Sequence, residues 1–132
     1  MKCIVVTPEA TVLDVDATFV ALPLFDGEIG IGENHTPLVG RLGFGELRIH
    51  PDKEMTSFCV EGGFVEVLNN TVSLLTNRAV PSTNLDIEES RKELETALRK
   101  TAKTVDQLNL KEQNVAAARA QFRLAQKAAG KN

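Results

Sequence analysis

The side chains that most often carry nucleophilic or acid–base chemistry are scarce in this sequence. It has two histidines, His35 and His50, and two cysteines, Cys3 and Cys59. No hydroxyl or thiol is spaced from a base and an orienting acid in a way that suggests an activated nucleophile. Glu33 and His35 could ligate a metal, but two groups do not make a site, and the pair reads as part of a loop. Each cysteine sits in a strand-like run without metal-ligand spacing, so both read as small buried hydrophobes. Glycines at 27, 30, 32, 40, 43 and 45 suggest a phosphate-binding loop. They match neither GxGxxG nor GxxxxGK(S/T), and Pro37 with a strand-like run stands where a helix would be required. Backbone turns and close chain approach account for them better. The sharpest charge pattern is Arg119, Arg123 and Lys127, which recur at intervals of four and form a basic stripe along one side of a helix. Such a stripe is either a solvated face or a docking surface for an acidic partner. Exposed ion pairs contribute about 0.2–1 kcal/mol each, so docking through them would be reversible and salt-sensitive.

The elements that hold these residues divide into two parts. All five prolines and eight of the nine glycines lie at or before position 81, and none occurs from Ser82 to Ala129. Gly and Pro punctuate turns and break helix interiors, so the change marks a passage from short strands to continuous helix. Residues 1–81 carry 5 basic and 11 acidic groups, net −6, and residues 82–132 carry 10 and 7, net +3. The expected division is a sandwich domain over 1–83 and a helical domain over 84–132.

In the first part, strand-like runs recur between turn signals at Cys3–Val6, Thr11–Val15, Thr18–Leu22, Leu47–His50, Thr56–Val60, Phe64–Leu68 and Thr71–Leu75. Pro51-Asp52 suits a turn start, and Asn69-Asn70 offers the positive backbone angles of a two-residue hairpin. Eight to ten short strands in so few residues predict a small, rigid two-sheet β-sandwich.

In the second part, Asp86 and Glu89 have the spacing of a capping box, with Glu88 and Glu89 at the positive end of the helix dipole. Leu94, Ala97, Leu98 and Ala102 mark one face of this helix. A second helix is expected to start near Thr104–Asp106, with Thr104 and Gln107 as another capping box. Leu108, Val115, Ala118, Phe122, Ala125 and Ala129 form its predicted seam. The short connection predicts an antiparallel helical hairpin. Half the seam is alanine, so two such helices gain little from each other. The hairpin either docks permanently on the sandwich or leaves it at low cost.

Composition excludes several classes. Net charge is −3, which gives no general reason to expect nucleic-acid binding. No apolar run approaches the roughly 18 residues needed to cross a bilayer, and no secretory signal is evident.

The stretch GEIGIGENHTPLVGRLGFGELRI, Gly27 to Ile49, closely resembles the GELGI…GHAPL…GxLRI signature of the epsilon subunits of F-type ATP synthase. VEGGFVEVLNNTVSLLTNRA, Val60 to Ala79, is similar to that family's SGGFxEVxxxxVxVLAxxA segment. The order of strands and then helical hairpin agrees as well, so the likeness spans nearly the whole chain.

The resemblance implies a non-catalytic subunit of the central stalk, a monomer within a hetero-oligomer. Its β-sandwich would bind the gamma subunit and sit on the c-ring, coupling proton-driven rotation to ATP synthesis at the alpha/beta sites. Its helical hairpin would restrain ATP hydrolysis. The location implied is peripheral, on the cytoplasmic face of a bacterial inner membrane or the stromal face of a thylakoid, since no transit peptide is evident. Glu28, Ile29 and Gly30 match the family's loop toward the c-ring. His35 lies in the adjoining GHxPL segment, with Arg41 a neighbour by proximity. Thr7 and a Gly45-Glu46 turn match positions facing gamma. Arg119, Arg123 and Lys127 would meet an acidic segment of the beta subunit. Some bacterial members bind regulatory ATP through (I/L)DxxRA at the start of helix one, with arginines of helix two; the match here is Ile87, Glu88, Arg91 and Lys92, with Arg119 and Arg123 as the helix-two pair. Glu replaces Asp and Lys replaces Ala, so no resident cofactor and weak or absent ATP binding are expected. A reading from another class is a free β-sandwich ligand-binding module with a dimerising coiled coil, which would dimerise rather than associate with gamma.

Overall fold

The computed structural model describes residues 1–51 and 55–130, so the turn expected at Pro51-Asp52 lies outside the described residues at Asp52. The chain forms two compact units, Met1–Pro81 and Ser82–Asn132.

The first unit contains ten strands: β1 (Lys2–Val6), β2 (Thr11–Asp16), β3 (Phe19–Leu24), β4 (Gly27–Gly32), β5 (Leu38–Arg41), β6 (Phe44–His50), β7 (Thr56–Glu61), β8 (Phe64–Leu68), β9 (Thr71–Leu75) and β10 (Ala79–Pro81). They form two five-stranded sheets, ordered β2-β1-β9-β8-β5 and β10-β7-β6-β3-β4. Alternation explains the layering. In β8, Val65 and Val67 are buried while Phe64, Glu66 and Leu68 face outward. Cys3, Val5, Val65, Val67, Val72 and Leu74 from one sheet meet Val20, Leu22, Ile31, Leu47, Ile49 and Val60 from the other in a single core. Each large aliphatic side chain buried there contributes about 1.5–3 kcal/mol. The hairpin expected at Asn69-Asn70 is present, with φ of 51° and 57° at the two residues. Pairing is antiparallel except between β1 and β9, which run parallel with Lys2 beside Thr71.

The structure corrects two local expectations. Gly27–Gly32 is strand β4 rather than a loop, paired with β3 from Phe19↔Gly32 to Leu24↔Gly27. Partner strand and register outweigh the low strand propensity of glycine there. Gly45 and Glu46 lie inside β6 rather than in a turn, paired with Val60 and Cys59 of β7.

The chain switches sheets between β5 and β6 at Leu42-Gly43, and again between β7 and β8 at Gly62-Gly63. The two crossings are bonded to each other: Leu42 N–H donates to Gly63 O at 2.8 Å and Gly62 N–H to Gly43 O at 3.0 Å. Gly63, at φ 105°, has no room for a side chain, because a Cβ would stand 1.9 Å from the Leu75 carbonyl oxygen.

The second unit contains a short 3-10 turn at Ser82–Asn84, then α1 (Ile87–Arg99) and α2 (Val105–Gly130). Asp86 caps α1 as expected, accepting from the Glu88 and Glu89 N–H groups at 2.9 and 3.1 Å. At α2, Thr104 Oγ1 accepts from Gln107 N–H at 3.1 Å, and Gln107 Oε1 returns to Lys103 N–H, one residue before the position a capping box uses. Gln121 Nε2 donates to Ser90 Oγ at 3.1 Å and Glu93 Oε2 at 2.9 Å, which ties α2 to the first half of α1. The seam differs from the predicted one. Ala120, Gln121, Leu124 and Ala125 are the buried residues of α2, whereas Leu108 and Ala129 are exposed. The polar Gln121 takes a place that an apolar repeat assigns to alanine or phenylalanine.

Candidate functional site

The residues expected to face the c-ring collect on one edge of the sandwich. β4 is the outer strand of its sheet and β5 the outer strand of the other. Glu28, Ile29 and Gly30 lie on β4, Arg41 ends β5, and His35 lies in the connection between them. Hydrogen bonds close this edge at one end: Phe25 N–H donates to Arg41 O at 3.0 Å and Gly43 N–H to Pro23 O at 2.9 Å. The Arg41 guanidinium also stands 5.7 Å from the centre of the Phe25 ring. At the other end, Asn70 Oδ1 accepts the Asn34 N–H at 2.8 Å, so the β8–β9 turn positions the His35 loop. His35 Nδ1 lies 2.7 Å from the Thr36 carbonyl oxygen. Gly30 leaves room for the Phe19 ring, which would stand 2.5 Å from a Cβ at that position, and Phe19 in turn meets His50 edge to face at 5.7 Å.

The residues expected to face gamma do not form one cluster. Thr7 lines a cavity of about 300 Å³ with Val6, Pro8, Gly63, Phe64, Leu75, Thr76 and Asn77. Phe64 and Leu75, paired across β8 and β9, are 62% and 58% exposed there, so the apolar surface is open. Gly45 packs against Pro23, with a Cβ position 3.2 Å from the proline Cβ. Glu46 points to the outer face of the other sheet and joins Glu28 through Arg48, a residue the sequence reading passed over. Arg48 Nη2 donates to Glu28 Oε1 at 2.8 Å, and its Nη1 donates to Glu28 Oε2 at 3.1 Å and Glu46 Oε1 at 3.3 Å. Ser57 Oγ donates to Glu46 Oε2 at 2.6 Å. The hydrogen bond with Glu28 pushes the Arg48 guanidinium above its ordinary value; burial opposes the shift and Glu46 adds to it. Strand alternation carried a signal for this pair, because Glu46 and Arg48 are two residues apart and share a strand face.

On the hairpin, Arg119, Arg123 and Lys127 are exposed along one side of α2, as their spacing predicts. Among the described residues, neither Arg119 nor Arg123 has an ion pair. Ile87, Glu88, Arg91 and Lys92 occupy the first turns of α1. Arg91 is engaged by two carboxylates, Glu88 at 2.7 Å and Glu95 at 2.8 Å. The hydrogen bond with Glu88 pushes its guanidinium above the ordinary value. Arg91 does not converge with Arg119 and Arg123. Those two flank the seam residue Gln121 by two positions each, which at 3.6 residues per turn puts them on the side of α2 away from α1.

Among the described residues no group of three or more His, Cys, Asp or Glu side chains could hold a metal. Among the described residues no helix is long and apolar enough to cross a membrane. What the chain offers is surfaces.

Comparison with known proteins assigns the chain to a family. Residues 1–82 match the family described as ATP synthase, Delta/Epsilon chain, beta-sandwich domain. This chain belongs to the ATP synthase delta/epsilon family. Its similarity to an ATP synthase epsilon chain of Rhodopirellula baltica is 44% identity over 123 residues, covering 93% of this chain and 96% of the relative. A chloroplastic epsilon chain of Pyropia yezoensis is 37% identical over 93 residues, covering 70% of this chain and 69% of the relative. The fold recurs in a chain of the Euglena gracilis mitochondrial ATP synthase OSCP/F1/c-ring assembly, with TM-score 0.79, 21% identity and coverage of 89% of this chain and 76% of that one. It recurs also in the Tetrahymena thermophila mitochondrial ATP synthase central stalk and c-ring, with TM-score 0.73, 17% identity and coverage of 94% and 95%. The delta/epsilon family resemblance of the Gly27–Ile49 and Val60–Ala79 stretches thus extends to nearly the full length of a bacterial epsilon chain.

Proposed function

We propose that this chain is a non-catalytic rotor subunit of an ATP synthase, with the β4/β5 edge seated on the c-ring and the hairpin acting as a brake on ATP hydrolysis. The observation that carries the reading is the similarity to an epsilon chain over 96% of that relative's length. The gathering of Glu28, Ile29, Gly30, His35 and Arg41 on one edge supports it. Gamma would bind the open apolar surface around Thr7, Phe64 and Leu75, and Gly45 and Glu46, on the other sheet, would be a separate contact. Membrane association would be peripheral, through the assembled complex. The test is association: the purified chain is expected to be monomeric alone and to copurify with gamma. A chain that dimerises through its helices and ignores gamma would instead be a free ligand-binding module, and the proposal would be wrong.

The brake would work through Arg119, Arg123 and Lys127 against acidic groups of the beta subunit. Each exposed contact contributes about 0.2–1 kcal/mol, so removing two is expected to raise hydrolysis about two- to thirtyfold at low salt. The measurement is ATP hydrolysis by the assembled enzyme carrying Arg119→Ala with Arg123→Ala, with assembly intact. Unchanged hydrolysis at low salt would remove these residues from the inhibitory contact.

We assign no resident nucleotide to the hairpin. A phosphate at Arg91 would compete with Glu88 and Glu95, and Arg119 and Arg123 lie away from it. Calorimetric titration of the purified chain with ATP is expected to give a Kd no tighter than about 1 mM, and a micromolar value would overturn this.

A further inference from the structure

The outer face of the β10-β7-β6-β3-β4 sheet carries a charged cluster whose central residue, Arg48, has no role in the family reading. Arg48 on β6 reaches across β3 to Glu28 on β4 and holds both carboxylate oxygens, at 2.8 and 3.1 Å. The strand between is narrow at the crossing: Arg48 pairs with Ala21, a small residue only 2% exposed. The inner end of the cluster is fastened. Glu46, whose side chain is 11% exposed, accepts from Arg48 at 3.3 Å and from Ser57 at 2.6 Å. The outer end is open, since the Glu28 side chain is 52% exposed. A fork that binds two oxygens fixes the plane of a carboxylate as well as its distance, which a point charge does not.

We propose that Arg48 is the positioning residue of the β4 edge, holding the Glu28 carboxylate in one orientation for the ring contact. This rests on the reading that the edge meets the c-ring. Arg48 touches no partner itself; it acts through Glu28, with Glu46 and Ser57 as its anchor.

The test uses the assembled enzyme in inverted membrane vesicles and compares ATP-driven proton pumping with ATP hydrolysis. Glu28→Ala is expected to lower pumping per ATP, and Arg48→Met to lower it by a similar factor, about fivefold for a lost bidentate contact of this exposure. The double variant should be no worse than either alone, because both remove one oriented group. Arg48→Lys keeps the charge without the fork and should stay within about twofold of Arg48→Met. Full restoration by lysine, or losses that multiply in the double variant, would overturn the positioning role. If Glu28→Ala lowers pumping and Arg48→Met does not, the edge reading stands and the Arg48 proposal falls. If neither variant changes pumping while the chain still binds gamma, the edge reading fails and takes the proposal with it. Far-UV circular dichroism and the urea midpoint of the purified variants separate these outcomes from misfolding.

Discussion

Replacing Gly63 by alanine is expected to destabilise the sandwich by at least about 3 kcal/mol, a large share of the 5–15 kcal/mol that holds most domains together. Two effects add at this position. At φ 105° an L residue is strained, by about 1–3 kcal/mol. The new Cβ would also stand 1.9 Å from the Leu75 carbonyl oxygen and 2.8 Å from the Thr76 Cα, so backbone rather than a side-chain tip must move. That movement would strain the Leu42–Gly63 hydrogen bond that ties the two sheet crossings together. Gly32→Ala is the control, since nothing lies within 4 Å of its Cβ position. The chain has no tryptophan or tyrosine, so unfolding is best followed by circular dichroism or calorimetry. Gly63→Ala should show a much lower urea midpoint than Gly32→Ala, and equal midpoints would refute the argument.

Stability should also fall steeply above about pH 9, and the two cysteines should be a main cause. Burial pushes the Cys3 thiol from 9.0 up to about 12. Burial pushes the Cys59 thiol up to about 11, with Glu61 and Glu46 adding to the shift and Arg78 opposing it. In the unfolded chain both thiols ionise near their ordinary value, whereas the folded chain keeps them protonated. Above that value the unfolded state binds fewer protons, so stability declines as pH rises toward the folded values and is fully present below about 9. Each thiol costs about 1.4 kcal/mol per pH unit in that window, or about 2–3 kcal/mol for the pair at pH 10. The readout is the slope of unfolding free energy against pH from 8 to 10.5, compared between the natural chain and Cys3→Ala with Cys59→Ala. The double variant starts lower, because it loses packing, but its slope should be flatter. Equal slopes would mean the thiols ionise alike in both states.

The strands legible in the sequence are those whose β-branched runs stand between turn residues, such as Phe64–Leu68 and Thr71–Leu75. β4 was not legible. Its glycines lack strand propensity, and it exists because β3 supplies a full ladder of partners. β5 and β10 are short edge strands, and β10 ends in Pro81, a residue that strand reading discounts. The crossings at Gly43 and Gly62 were equally hidden, since nothing local distinguishes a switch of sheet from an ordinary turn. On the hairpin, helix starts were readable because Asp86 and Thr104 satisfy local N–H groups. The seam was not, because Gln121 is buried by virtue of Ser90 and Glu93, partners about thirty positions away in sequence. At the candidate site, motif matching found the residues of the edge one by one. The matched GxLRI signature includes Arg48 but gives it no role, because its importance depends on how far its side chain reaches across a neighbouring strand.

The parallel alliance of β1 with β9 has a bearing on how the chain is made. Lys2 through Val6 run beside Thr71 through Leu75, so β1 is flanked on one side by the last strand of its sheet in chain order. While synthesis proceeds, only β2 is at hand to cover β1, and its other flank waits on roughly seventy further residues. Contacts of such long sequence separation slow folding. The strand β1 therefore keeps one backbone edge unpaired, open to chaperones or to stray pairing, until the ninth strand emerges and closes the gap.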